Sequence, residues 1–98
     1  MADTMTTDAT PGTAEECFEL GMIHASGRDG VVDMVTAHKW FNIAASRGHG
    51  EAAAQRREVA AQMTDSEIGT AQRAARDWLK AHPLPAVTTA MPELRIAA

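Results

Sequence analysis

Apolar residues recur every three or four positions along most of this chain, with charged and amide residues between them. That period is typical of helices that bury one side and expose the other. Glycine, proline or clustered polar residues separate the periodic stretches. The pattern predicts an all-α fold of about four antiparallel helices, over residues 13–26, 33–47, 50–63 and 64–82.

The predicted helix ends carry local signals. Thr13 with Glu16, and Thr64 with Glu67, have the Thr-x-x-Glu spacing of a capping box. Asp33 is a good N-cap for the second helix. Because caps satisfy the free amides of a first turn, these residues fix where three of the helices begin.

The length of 98 residues allows one small domain with a narrow margin of stability. We expect a helical domain over 13–82, a flexible N-terminal segment over 1–12 and a flexible C-terminal tail over 83–98. Few residues are aromatic and alanine is abundant, so the core must come from helices that approach closely.

The second and fourth predicted helices each carry a tryptophan on their apolar stripe. Trp40 and Trp78 are therefore predicted to belong to the core rather than to an exposed interface. His38, Lys39 and Asn42 fall off the stripe of the second helix. We expect these three side chains to face solvent.

Small and apolar residues occupy the positions at which two antiparallel helices must touch, and glycines occupy the turns between them. The pattern consists of Leu20, Gly21, Gly27, Gly30, Asp33, Ala37, Trp40, Phe41, Ala44, Ala45, Gly48 and Ala52. It strongly resembles a single Sel-one-like repeat, a tetratricopeptide-related α-solenoid module. The resemblance covers about residues 12–52 and implies protein–protein scaffolding, with Trp40 between the paired helices.

A second copy of the repeat begins and then departs from the pattern. Shifting Leu20 and Gly21 by the 36 positions that separate Gly12 from Gly48 lands on two arginines. The last predicted helix instead looks like a terminal cap. Repeat arrays usually need about three units to bury a core, so something must cover the open edge. Either the third and fourth helices close a four-helix domain, or another copy or a partner does.

Charge and cysteine content limit the function classes. Residues 1–33 hold seven acids and one base, and the net charge of −4 argues against a nucleic-acid binder. The single Cys17 excludes an internal disulfide and favours a reducing compartment. No apolar run is long enough to cross a bilayer, and the acidic N-terminus differs from a signal peptide. We expect a cytoplasmic protein without a membrane or nucleic-acid partner.

The candidate chemical groups do not form a catalytic or metal-binding pattern. Four histidines occur at spacings that do not match a metal site, and these are His24, His38, His49 and His82. Cys17 or Ser26 near His24 would be the only nucleophile and base, with no third group to orient them. We expect a small buried Cys17, no metal or other cofactor, and no enzymatic activity.

The second half of the chain has a basic character. Its cations are Arg47, Arg56, Arg57, Arg73, Arg76 and Lys80. One interpretation is a solvated helical face with local charge pairs. The other is a docking surface for an acidic partner segment, or for the acidic first half of another copy.

The resemblance to solenoid repeats implies a concave surface formed by the first and third helices. The residues predicted to bind a protein partner there are Glu19, Met22, Ile23, Ser26 and Arg56. The function predicted is a non-enzymatic adaptor or regulatory module of a bacterial cytoplasm. The alternative is a self-associating structural element whose incomplete repeat stacks on another copy, forming a homo-oligomer.

The C-terminus ends on an apolar residue followed by two alanines, Ile96, Ala97 and Ala98. Such an end resembles the degron that bacterial ATP-dependent unfoldases recognise. Alanine-rich chains also acquire such ends by chance, so both interpretations stay open. Changing both alanines to aspartate tests the degron, because an unaltered cellular half-life would refute it.

Overall fold

Four α-helices follow one another in the part of the chain that a computed structural model describes, residues 11–28 and 30–83. They are α1 (Ala14–Ser26), α2 (Met34–Ser46), α3 (Ala52–Ala60) and α4 (Asp65–Ala81). These residues contain no β-strand, so the all-α prediction is confirmed. The helix predicted over 50–63 is shorter at both ends, because the residues flanking α3 form turns and a bend.

Three helices begin at the caps that the sequence predicts. The Thr13 hydroxyl accepts the Glu16 amide at 3.0 Å, and the Glu16 carboxylate accepts the Thr13 amide. Thr64 and Glu67 form the same reciprocal pair at the start of α4. The Asp33 carboxylate caps α2. These predictions are therefore confirmed.

The central element is α2, because α1, α3 and α4 each pack extensively against it. Its buried residues face all three neighbours. One core cluster contains Cys17, Trp40, Ile43, Ala44, Ala52 and Ala75. The other contains Ala37, Phe41 and Val59, with Met22 and Met63 packed at its edge. The core is thus arranged around one helix rather than between two separate pairs.

The contact between α1 and α2 is close at Gly21. A Cβ atom built there would lie 2.5 Å from the ring of Phe41, which is fully buried. The missing side chain at Gly21 therefore makes room for an aromatic ring of α2. Beyond α1, Gly27 takes a positive φ of 74° and reverses the chain.

The turn that follows α2 is also attached to α1. The ring of His49 stacks on Phe18 with centroids 4.0 Å apart. His49 Nε2 lies 3.1 Å from a carboxylate oxygen of Glu15. These contacts hold the start of α1 against the α2–α3 connection.

At the other side of α2, α4 packs through aromatic rings. Trp40 and Trp78 meet edge to face with centroids 5.4 Å apart, and His82 stacks on Trp78 at 4.2 Å. The Arg47 guanidinium lies over the Trp78 ring and donates to the backbone carbonyl of His82. The buried Trp40 and the partly buried Trp78 confirm that both tryptophans belong to the core.

Some predictions concern residues outside the described part of the chain. These include nearly all of the two segments predicted to be flexible and the degron-like end at Ile96, Ala97 and Ala98. They stay predictions.

Candidate functional site

A cleft of about 430 Å³ lies between α2 and α4. Its lining residues are Asn42 from α2 and Gln72, Ala75, Arg76 and Leu79 from α4. The four α4 residues share one helical face because they are three or four positions apart. This α2–α4 cleft combines two apolar side chains with two amides and one cation, a mixture that suits ligand binding.

Arg56 of α3 adds a second cation beside the α2–α4 cleft. Its Nη1 donates to the Oδ1 of Asn42 at 2.9 Å, which holds the guanidinium against a lining residue. The exposed Arg76 has no hydrogen-bond or ion-pair partner among residues 11–28 and 30–83. Two arginines from different helices therefore lie at or beside the same cleft, and no acidic side chain among residues 11–28 and 30–83 lines it.

The four partner-binding residues predicted on α1 lie together on that helix. Glu19, Ile23 and Ser26 follow the spacing of one helical stripe. Glu19 pairs with Arg28 at 3.1 Å, and both side chains are more than half exposed. Met22 is partly buried against the second core cluster. The fifth predicted residue, Arg56, lies on α3 beside the α2–α4 cleft. The predicted residues therefore lie on two surfaces, that cleft and the α1 stripe (Glu19, Ile23 and Ser26).

His38 is buried, with only 3% of its surface exposed, so its predicted exposure is wrong. The reason is that α3 packs against α2 and brings Arg56 close to the imidazole. Its Nδ1 has no hydrogen-bond partner among the described residues. Burial lowers the pKa of His38, and the charge of Arg56 lowers that pKa further. The imidazole is therefore neutral at pH 7.

Cys17 is a free, buried thiol, which confirms its predicted place in the core. Burial is the main cause that raises its pKa, and the charge of Arg47 opposes the rise only in part. Reactive cysteines show the opposite shift, because the thiolate is the nucleophile. This thiol is therefore suited to packing and not to nucleophilic chemistry.

The described residues hold neither a metal-ligand cluster nor a membrane-spanning helix. Nowhere in 11–28 or 30–83 do three or more His, Cys, Asp or Glu side chains come together as a metal site would need. In the same residues, no helix has both the length and the apolar character to cross a membrane.

Sequence reasoning placed Arg56 at a binding surface but did not identify the lining of the α2–α4 cleft. Asn42 was expected only to face solvent, and it is partly buried. The one local signal was the spacing of Gln72 and Arg76, four residues apart with the small Ala75 between them. Periodicity shows that α4 has such a face but not which helix lies opposite.

No family model, no curated protein and no solved structure matches this chain. The resemblance to a Sel-one-like repeat therefore stays a prediction from the motif residues. The chemistry of the α2–α4 cleft and of the α1 stripe therefore indicates the function.

Proposed function

We propose that this protein is a non-enzymatic protein-binding module, of the adaptor or regulatory kind, in a bacterial cytoplasm. The observation that carries the proposal is the α2–α4 cleft, which two helices line and beside which a third helix places Arg56, hydrogen-bonded to the lining residue Asn42. The resemblance of residues 12–52 to a scaffolding repeat points to the same class of function. The single cysteine, Cys17, agrees with a reducing compartment such as a cytoplasm.

The groups at the cleft favour binding over chemistry. Asparagine and glutamine amides do not ionise near neutral pH, and arginine stays protonated there. They can donate several hydrogen bonds in fixed directions. Such groups recognise a ligand without acting as a general base or a nucleophile.

The α2–α4 cleft is the proposed main docking site, and the α1 stripe is the second contact. Under this proposal Arg56 and the α1 residues both bind a partner, on two different surfaces. The two surfaces share no residue, so substitutions can test them separately.

Two charge reversals test the docking sites. Arg56→Glu should weaken partner capture in a crosslinked pull-down, and Glu19→Lys should weaken it less, while thermal melting stays nearly unchanged for both. Arg57→Glu is the matched control, because Arg57 is an exposed neighbour on α3 outside the cleft. Full capture by both variants, at unchanged stability, would place the docking site elsewhere.

The self-associating alternative has its own test. A homo-oligomer would make the melting temperature rise with protein concentration, because association stabilises only the folded chain. The adaptor proposal predicts a melting temperature that does not depend on concentration. A clear rise would favour the oligomer as the functional form.

A further inference from the structure

We infer that the α2–α4 cleft binds an acidic protein segment, with one of its carboxylates between Arg56 and Arg76 and an adjoining apolar side chain against Leu79. The inference rests on the proposed function and names the chemistry of the partner. Its support comes from charge, hydrogen-bond donors and the apolar part of the lining.

The charges at the cleft are of one sign. Arg76 lines it, and Arg56 is held beside it through Asn42. A guanidinium presents several N–H donors in a plane that matches a carboxylate, and charge-assisted hydrogen bonds are stronger than neutral ones. A carboxylate would therefore receive donors from two helices at once.

The amides at the cleft are also arranged as donors. The Oδ1 of Asn42 already accepts from Arg56, which leaves the two Nδ2 hydrogens of that amide for a ligand. Gln72 can turn its amide to donate as well. A lining rich in donors and free of carboxylates fits a ligand that supplies acceptors.

The apolar lining distinguishes a peptide from a simple anion. Ala75 and Leu79 lie on the same face of α4 as the polar residues. A volume of about 430 Å³ exceeds what one carboxylate needs, so an apolar side chain next to it can be accommodated. Within the described part of the chain the lining has no aromatic side chain for base stacking, and the chain is net acidic, so a protein segment is favoured over a single-stranded nucleic acid.

The test uses the full chain and a defined probe, the acetylated and amidated peptide Glu-Leu-Glu-Glu. In a ¹H–¹⁵N NMR titration at low salt, the side-chain amides of Asn42 and Gln72 should shift. The matched peptide Gln-Leu-Gln-Gln should bind at least about tenfold more weakly, because it cannot form the charge-assisted pairs. Equal affinity for the two peptides, or no localised shifts at millimolar probe, would overturn the inference.

Two variants on one helix serve as matched controls. Arg76→Gln should weaken the acidic peptide about tenfold, whereas Arg73→Gln should leave its affinity unchanged. Arg73 is exposed on α4 but does not line the cleft. Equal losses in both variants would show only general charge attraction and would refute a specific carboxylate site.

The experiment separates this inference from the proposed function. In one outcome, Arg76→Gln and Arg56→Glu leave partner capture intact while a change in the α1 stripe abolishes it. That result would support the proposed binding module and refute an acidic ligand at the cleft. Sedimentation of the wild type at several protein concentrations detects a third outcome, which is a dimer of this chain. A dimer that Arg76→Gln abolishes would make a second copy the occupant and overturn the assignment to a partner protein.

Discussion

The two flanks of α2 are built on different principles. On the α1 side, Gly21 lets the buried Phe41 ring come close, and the two helices meet without a cleft between these residues. On the α4 side, Trp40 and Trp78 meet edge to face, and other residues of the same two helices line the α2–α4 cleft. The α1 side thus packs a ring against a glycine, whereas the α4 side combines an aromatic contact with a cleft that polar side chains line.

The same difference separates residues that stabilise the fold from residues that are proposed to bind a partner. The α1 side uses its helix surface for packing, apart from the exposed stripe that begins at Glu19. The α4 side closes at its C-terminal end through Arg47 and His82 and keeps donors free along the cleft. We therefore expect changes on the α1 interface to cost stability, and changes in the cleft to cost binding.

The largest expected effect comes from Trp40→Ala, because Trp40 belongs to the core and contacts the α4 side directly. Removing a buried aromatic side chain costs about 3–5 kcal/mol. Total stabilities are only about 5–15 kcal/mol and small domains lie at the low end, so this substitution should remove most of the domain's stability and lower its urea midpoint steeply. Circular dichroism during urea unfolding measures the change.

A surface control sharpens that result. Val31→Ala removes an apolar side chain that is 70% exposed, so its effect should stay within about 0.5 kcal/mol. A Trp40→Ala domain that unfolds at the wild-type urea midpoint would contradict the assignment of this residue to the core.

A pair of helical glycines tests the closed interface next. Gly21→Ala places a Cβ 2.5 Å from the Phe41 ring, and overpacking of this kind costs about 1–3 kcal/mol. Gly69→Ala on α4 would meet only Arg73 Nη1, at an ordinary 3.5 Å. It should stabilise the domain by about 0.5–1 kcal/mol, because alanine favours a helix. Equal effects of the two substitutions would refute the close α1–α2 contact.

The last prediction concerns the pH dependence of stability that the buried His38 causes. Its pKa in the folded chain lies below the ordinary value of 6.5, so the unfolded chain binds a proton more readily. The stability it contributes is therefore complete above about pH 6.5 and is lost as pH falls from there toward the folded pKa. The loss is about 1.4 kcal/mol for each unit between the two pKa values.

Urea unfolding at several pH values between 5 and 7 measures this dependence. His38→Phe should remove this residue's share of the slope, and His24→Phe is a control at a partly buried histidine. An unchanged slope in His38→Phe would show that another group causes the acid sensitivity.

Local signals predicted the fold better than they predicted the site. The caps at Thr13, Asp33 and Thr64 depend on residues within three positions, so the sequence shows them directly. The burial of His38 depends on which helix covers that side of α2. The helical period of the sequence does not show which helix covers that side.

The sequence pointed only to the cations of the candidate site, Arg56 and Arg76. Arg56 was expected at a binding surface, but its partner Asn42 lies 14 positions away on another helix. Contact between Arg47 and His82 spans 35 positions and fixes the end of α4 beside α2. Such distant contacts create the cleft, and no local motif specifies them.

Site-specific photo-crosslinking in the native cells tests the central claim most directly. A photo-reactive phenylalanine analogue replaces Gln72 in the lining of the α2–α4 cleft, or Arg73 on the exposed side of the same helix. The account predicts that one partner protein, carrying an acidic segment at the crosslinked peptide, is captured from position 72 and not from position 73. Equal capture from both positions, or capture at a segment without acidic residues, would contradict it.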